Sequence, residues 1–194
     1  MISTPEIKRY TAPDVNYKEI LRYATAKEDA RLNALIESSM QQVKDLITYS
    51  VVCVEKTFTI IDNVVDFGSF KVFSKSLAKY LTGAKSAIMF VATIGTEIDR
   101  LIIKYSKLEP SRALVMQAIG TERVESLANL FMKELKDNGY NLSPRFSPAF
   151  GDVPIELQKE FFRLLKPERI GVTLNESLLM SPSKSITAFI AVGK

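Results

Sequence analysis

The chain has 194 residues, 46% of them hydrophobic and 25% charged, and a net charge of +4. That length buries one good core or at most two small ones, in the composition of an ordinary globular protein. It holds no histidine and one cysteine, Cys53, which excludes Ser-His-Asp and Cys-His catalysis, zinc sites of the usual N/S kind and an internal disulfide. Neither Gly-x-Gly-x-x-Gly nor a P-loop spacing occurs among the eight glycines, so no glycine-rich phosphate loop is expected. Basic residues are spread along the chain without a Lys/Arg run, so nucleic acid is not an expected partner. Apolar runs such as Ala87 to Ala92 are too short to span a membrane, and the N-terminus opens polar, so neither a span nor a signal peptide is expected. The single cysteine fits a reducing, cytoplasmic setting.

In chain order, Asn16 can cap a helix from Tyr17 to about Ala24. A longer helix is expected from about Glu28 to Thr48, where Leu32, Leu35, Ile36, Met40, Val43, Leu46 and Ile47 form a one-sided stripe. From Ser50 to Ile61 β-branched residues alternate, which predicts one or two strands, and Val64 to Phe67 predicts another, ending at Gly68. Ser74 to Leu81 reads as a helix that stops by Gly83. Lys85 to Ile94 is a continuous apolar run of strand length, the best candidate for a central strand buried on both faces. Thr96 and Glu97 open a helix to about Leu108, and Pro110 starts the longest one, reaching about Asp137. Gly120 within it predicts close packing or a bend, because glycine costs a helix about 1 kcal/mol against alanine. Pro154 begins a helix ending near Leu165, stopped by Pro167. Arg169 to Leu174 and Ser185 to Val192 read as strands. Strands and helices mix without strict alternation, so a single α+β domain over residues 1–194 is expected, with a mixed, largely antiparallel sheet and long helices. Residues 1–50 are expected to supply N-terminal helices, and 51–194 the core.

Between the last two long helical patterns runs a loop, Asn138 to Asp152, rich in proline, glycine and Asx residues. Its one cation, Arg145, is flanked by Phe146, Pro148 and Phe150. A guanidinium fixed among rings and prolines suits bidentate capture of a carboxylate or phosphate; the alternative is an arginine that caps a helix or pairs on the surface. Glu125 lies mid-helix beside Val124 and Leu127, and spacing alone makes it a solvated carboxylate. Glu176, in a Ser/Pro-flanked turn, can accept backbone N–H bonds or contact a ligand. Tyr140 either stacks on a planar ligand or is a half-buried structural tyrosine. Met180 and Cys53 read as core.

Three blocks carry a resemblance. Arg145-Phe146-Ser147-Pro148-Ala149-Phe150 resembles an Arg-x-x-x-Gly-Tyr loop. Leu174 to Ile186 resembles a Leu-Thr-Glu-Ser-x-x-Met-x-Pro-x-x-Ser-Val turn, the most specific block. Ala92-Thr93-Ile94-Gly95 with Ala118 to Glu125 is the weaker third. Together they resemble the activation (reactivation) domain of cobalamin-dependent methionine synthase over roughly the last half of the chain. The N-terminal Glu19 to Tyr23 faintly resembles the family's compact, free-standing forms.

The resemblance implies a domain that binds S-adenosylmethionine and presents it to an oxidised, inactive cobalamin. One electron from a flavodoxin- or ferredoxin-type donor then allows remethylation. Cobalamin would be carried by the partner, a cobalamin-dependent methionine synthase lacking its own activation domain; a chain without histidine has none to ligate the cobalt. This chain would act on it in trans, in methionine biosynthesis, as an accessory part with no methyltransferase activity alone. Carried over residue by residue, Arg145 holds the ligand's carboxylate, Ala149 and Phe150 lie along its backbone path with Pro148 as a further binding candidate, Glu125 faces its ammonium, and Glu176 braces the turn beneath. Ala149 and Phe150 depart from the family's Gly and Tyr, adding a methyl that restricts φ and removing a hydroxyl. A docking or regulatory partner of a corrinoid protein that does not bind S-adenosylmethionine therefore stays open.

Overall fold

The structure, a computed structural model, describes residues 2–25 and 27–193; Met1, Ala26 and Lys194 of the expected single domain lie outside them. Its first half holds β1 (Glu6–Tyr10), α1 (Tyr17–Ala24), α2 (Ala30–Val43), β2 (Tyr49–Lys56), β3 (Thr59–Ile61), β4 (Val64–Asp66), β5 (Lys71–Phe73) and α3 (Lys75–Leu81). The second half holds β6 (Ser86–Thr93), α4 (Glu97–Leu108), α5 (Pro110–Asp137), α6 (Gln158–Leu165), β7 (Thr173–Leu174), β8 (Met180–Ser181) and β9 (Ser185–Val192). This is an α+β architecture, and every strand pairing among the described residues is antiparallel.

The main sheet has the order β1-β2-β6-β9. β6 is buried at all of its residues, as its unbroken apolar run requires of a strand covered on both faces. Because side chains alternate along a strand, Ile88, Phe90 and Ala92 join the core against α5, where Phe131 and Leu135 meet them. Ala87, Met89 and Val91 join a second core with Leu77 and Leu81 of α3, Phe161 and Leu165 of α6, and Val65 and Val72 of the small β3-β4-β5 sheet. The sheet is thus sandwiched between two helical layers. Among the described residues no helix is long and apolar enough to cross a membrane.

Several elements differ from the sequence reading. Residues 6–10, for which no strand is expected, form the edge strand β1, with Ile7 opposite Val52 and Tyr10 opposite Tyr49. An edge strand needs no apolar run, because its backbone pairs on one side only; Lys8 and Tyr10 both reach Glu134 of α5. α2 ends at Val43 rather than near Thr48, because the chain must turn into β2: the Thr48 N–H donates to Ile94 O at 3.2 Å. Gly95 permits that approach, since a Cβ there would stand 2.6 Å from Thr48 Oγ1. β5 is an extra three-residue strand. Arg169 to Leu174 is not one strand: a 3-10 turn occupies Pro167–Ile170, Gly171 takes φ +78°, and only Thr173–Leu174 pairs, with Met180–Ser181. Pro154 stands before a 3-10 turn (Ile155–Leu157) that leads into α6. Gly120 is a close-packing position, where a Cβ would meet the Lys184 side chain at 3.0 Å and Ile98 at 3.1 Å.

Candidate functional site

The segment 141–146 runs beside β9 as an incomplete fifth strand. Ser143 N–H donates to Ala191 O at 3.0 Å, and Phe146 and Phe189 exchange N–H···O bonds of 2.9 and 2.7 Å. Tyr80 of α3 completes the hold: its hydroxyl donates to Pro144 O at 2.7 Å and its ring stacks on Phe146 at 4.8 Å. Arg145 is therefore pinned at the residue on each side. Since extended chain alternates its side chains, Phe146 enters the core on the α3 side and Arg145 points the other way, toward α5.

There Arg145 Nη2 meets Glu125 Oε2 at 2.8 Å and Asn129 Oδ1 at 3.1 Å. The guanidinium side chain is 21% exposed and the carboxylate 36%. The pair lies in a cleft of about 610 Å³ whose α5 wall is Glu125, Asn129, Met132 and Lys136 and whose floor includes Ile186 and Ala188 of β9. A smaller cleft of about 320 Å³, bounded also by α1, shares Glu125, Asn129 and Arg145 with it. One cation and one anion thus stand at the junction of two hollows. The larger is within the size of small-molecule sites.

The structure brings two of the seven candidate residues, Arg145 and Glu125, into this cleft, and Glu125 binds Arg145 directly instead of standing apart for a ligand's ammonium. Tyr140 does not line it: the ring is half-buried against the α5-side core and its hydroxyl donates to the buried Glu55 at 3.4 Å. Pro148 is buried and Phe150 is 66% exposed, edge-on to Phe146 at 5.4 Å. Glu176 is exposed, and the turn it was expected to brace is held by Asn175, whose Oδ1 accepts from Leu179 N–H at 2.9 Å. A one-carbon-shorter side chain at the first turn position closes that ring more readily than glutamate. The turn is also clipped to α4, as Asp99 accepts from Ser183 N–H at 2.6 Å and Oγ at 2.7 Å. Lys184 donates to Thr121 Oγ1 of α5 at 3.1 Å, and burial pushes its ammonium pKa down against the opposing pull of Asp99.

Sequence reasoning missed Asn129, Met132 and Lys136. They follow Glu125 at i+4, i+7 and i+11, one stripe along a helix, and that stripe was a legible signal. It also missed Glu122 and Arg123, a buried bidentate pair at 2.5 and 2.7 Å that holds the N-terminal arm.

Ala149 adopts φ +65°, the left-handed region that favours glycine. A non-glycine residue there costs on the order of 1 kcal/mol, so Ala149→Gly is expected to leave the protein as stable or up to about 1 kcal/mol more stable, read by chemical denaturation. A loss of stability would show that the methyl group packs.

The loop ends in Asp152, whose carboxylate accepts from Ser74 Oγ at 2.5 Å, Lys75 N–H at 2.8 Å and Ser76 N–H at 3.0 Å at the start of α3. The Ser74 hydroxyl, then the Ser76 and Lys75 N–H groups, hold this carboxyl far below the usual aspartate range. A depressed carboxylate pKa contributes stability that is complete above the unfolded value near 3.9 and is lost as pH falls through the folded value. Melting curves of Asp152→Ala should therefore lie below those of the parent at neutral pH, and the gap should narrow steadily below about pH 4. A gap independent of pH would remove the carboxylate from this role.

No family model matches the chain, and no curated protein matches it. Among solved structures it is similar to the MetH reactivation domain bound to AdoHcy, at 11% identity and a TM-score of 0.74, over 97% of this chain and 78% of that one. At that identity the likeness is one of architecture, and it extends to the N-terminal arm and helices where the sequence resemblance was faintest. The chain has the fold of the methionine synthase reactivation domain.

Proposed function

We propose that the Arg145 cleft binds S-adenosylmethionine by its amino-acid end, and that the chain is a reactivation module which presents that ligand to cobalamin carried by a separate methionine synthase. The observation that carries this reading is the Arg145–Glu125 pair at the cleft junction, in a fold whose solved relative is bound to AdoHcy. An α-amino acid is a zwitterion. It can replace the internal pair by two equivalent ones, its carboxylate on the Arg145 guanidinium and its ammonium on Glu125, without leaving a charge unmatched. Asn129 supplies a neutral group beside both. Met132, Ile186 and Ala188 give the cleft the apolar surface that a nucleoside needs.

Cobalamin, when brought by the partner, supplies the metal that accepts the methyl group. What this chain contributes is capture and orientation, by a guanidinium whose backbone is anchored on both sides. The electron comes from a flavodoxin- or ferredoxin-type donor, and the isolated chain performs no methyl transfer to homocysteine. A second reading has one observation in its favour: Arg145 is already satisfied by Glu125 and Asn129, as in a docking partner of a corrinoid protein that takes no ligand there.

Calorimetric titration separates the two. S-Adenosylmethionine and S-adenosylhomocysteine share the amino-acid end and should both bind. 5′-Methylthioadenosine lacks that end and should bind at least roughly tenfold more weakly, the scale of one charge-assisted bond. Absence of binding by S-adenosylmethionine would leave the docking reading in its place.

A further inference from the structure

We propose that the chain has a second ligand site, an anion-binding cleft at the β1 edge of the sheet, that takes a phosphate-bearing small molecule of about nucleotide size. The cleft measures about 620 Å³ and is lined by three cations from three separate elements: Arg9 of β1, Lys44 in the turn after α2, and Arg169 in the 3-10 turn after α6. Among the described residues no aspartate or glutamate lines it. It shares no residue with the Arg145 cleft, and the two lie at opposite edges of the β1-β2-β6-β9 sheet.

The distribution of ion pairs makes this cleft unusual within the molecule. Arg22, Arg100, Arg112, Arg123, Arg145 and Arg163 each meet a carboxylate within 4 Å. The other arginines are Arg9, Arg31 and Arg169, and two of those three face into this one cleft. Lys44 likewise has no ion-pair partner among the described residues. The nearest acids in sequence, Asp45 and Glu168, are exposed and stay outside the lining, while Glu6 of the same strand is taken by Lys8 at 3.4 Å. Three like charges held around one hollow repel each other, and a multivalent anion relieves all three contacts at once.

The remaining lining fits the same ligand. Ser50 stands directly across the β1-β2 pair from Arg9, and Thr48 adds a second hydroxyl, so neutral donors accompany the guanidinium forks that suit phosphate oxygens. Tyr10, Ile47 and Ile170 form an apolar wall for the organic part. The charges converge on one cleft instead of running along a helix or strand, which argues for a discrete small ligand over a polymer backbone.

The test is calorimetric titration of the full chain with inorganic tripolyphosphate and with ATP. Single-site binding of either is expected, weakened by raising sodium chloride from about 50 to about 500 mM because the cations are exposed to screening. The double variant Arg9→Gln/Arg169→Gln should lose roughly tenfold or more in that affinity. S-Adenosylmethionine titrated into the same samples reports whether the fold and the other cleft are intact, so failure here is distinguishable from failure of the Arg145 reading. Lys44→Gln alone should give a smaller loss in the same direction. The proposal is overturned if neither phosphate compound binds at millimolar concentration, if binding survives in the double variant, or if only an acidic polypeptide such as polyglutamate binds.

Discussion

Arg145→Ala is expected to weaken S-adenosylmethionine binding by about thirtyfold or more, with little change in stability. Two magnitudes separate these effects. A charge-assisted bidentate contact to a carboxylate, made in a partly dry cleft, is worth about 2–4 kcal/mol on truncation, and each 1.4 kcal/mol is tenfold in affinity. The internal pair that the mutation also removes is partly solvated at both ends, and such pairs contribute about 0–1 kcal/mol. The loop does not depend on the side chain either, since the backbone bonds of Ser143 and Phe146 to β9 and the Tyr80 hydroxyl remain. Arg145→Lys should not restore affinity, because an ammonium offers one point of contact where the guanidinium offers a fork. Calorimetry on the parent and both variants, with a melting curve for each, checks this. Unchanged affinity in Arg145→Ala with an unchanged melting curve would remove Arg145 from the site.

The largest expected effect on stability is at Arg123. Its side chain and that of Glu122 are 2% and 1% exposed. Arg123 also donates to Pro13 O at 2.7 Å and Asp14 O at 2.8 Å, while Glu122 accepts from Asn16 N–H at 2.9 Å and Ser126 Oγ at 2.6 Å. Burial pulls the guanidinium pKa down, but the hydrogen bonds and charge of Glu122, with a smaller contribution from Tyr49, together offset it and the group is held above its ordinary value. Arg123→Ala strands a buried carboxylate and frees the arm that leads into α1. Breaking a buried pair by removing one partner costs about 3–5 kcal/mol, which for a chain of this size lowers the melting temperature by roughly 10 °C. Replacing both partners, as in Glu122→Leu/Arg123→Met, should cost less than the single change, because no uncompensated charge is left inside. A double variant less stable than Arg123→Ala would show that the arm's backbone contacts, and not the stranded charge, dominate.

Much of the fold was legible because periodicity reports burial. The run from Ala87 to Ala92 was the best candidate for a strand covered on both faces, and β6 is that strand. The 28 residues of α5 follow directly from its stripe and from Pro110 at the start. The α+β class followed from the mixture of the two periods. What the sequence could not reveal is where polar groups meet. β1 has no apolar signal because its place is set by backbone pairing and by Glu134, more than a hundred residues away. The burial of Arg123 depends on the arm at Pro13 and Asp14, which folds over it from more than a hundred residues away.

The same division runs through the site. The loop chemistry and the family resemblance of its sequence block pointed to Arg145 from the sequence alone. That Glu125 and Asn129 would be its partners, and that Tyr140 and Glu176 would not join them, was decided by the approach of β9 and its flanking loop to one face of α5. Hydrophobic burial depends on local pattern and can be read along a chain. A salt bridge depends on a few ångströms between segments distant in sequence, and only the packed structure sets that distance.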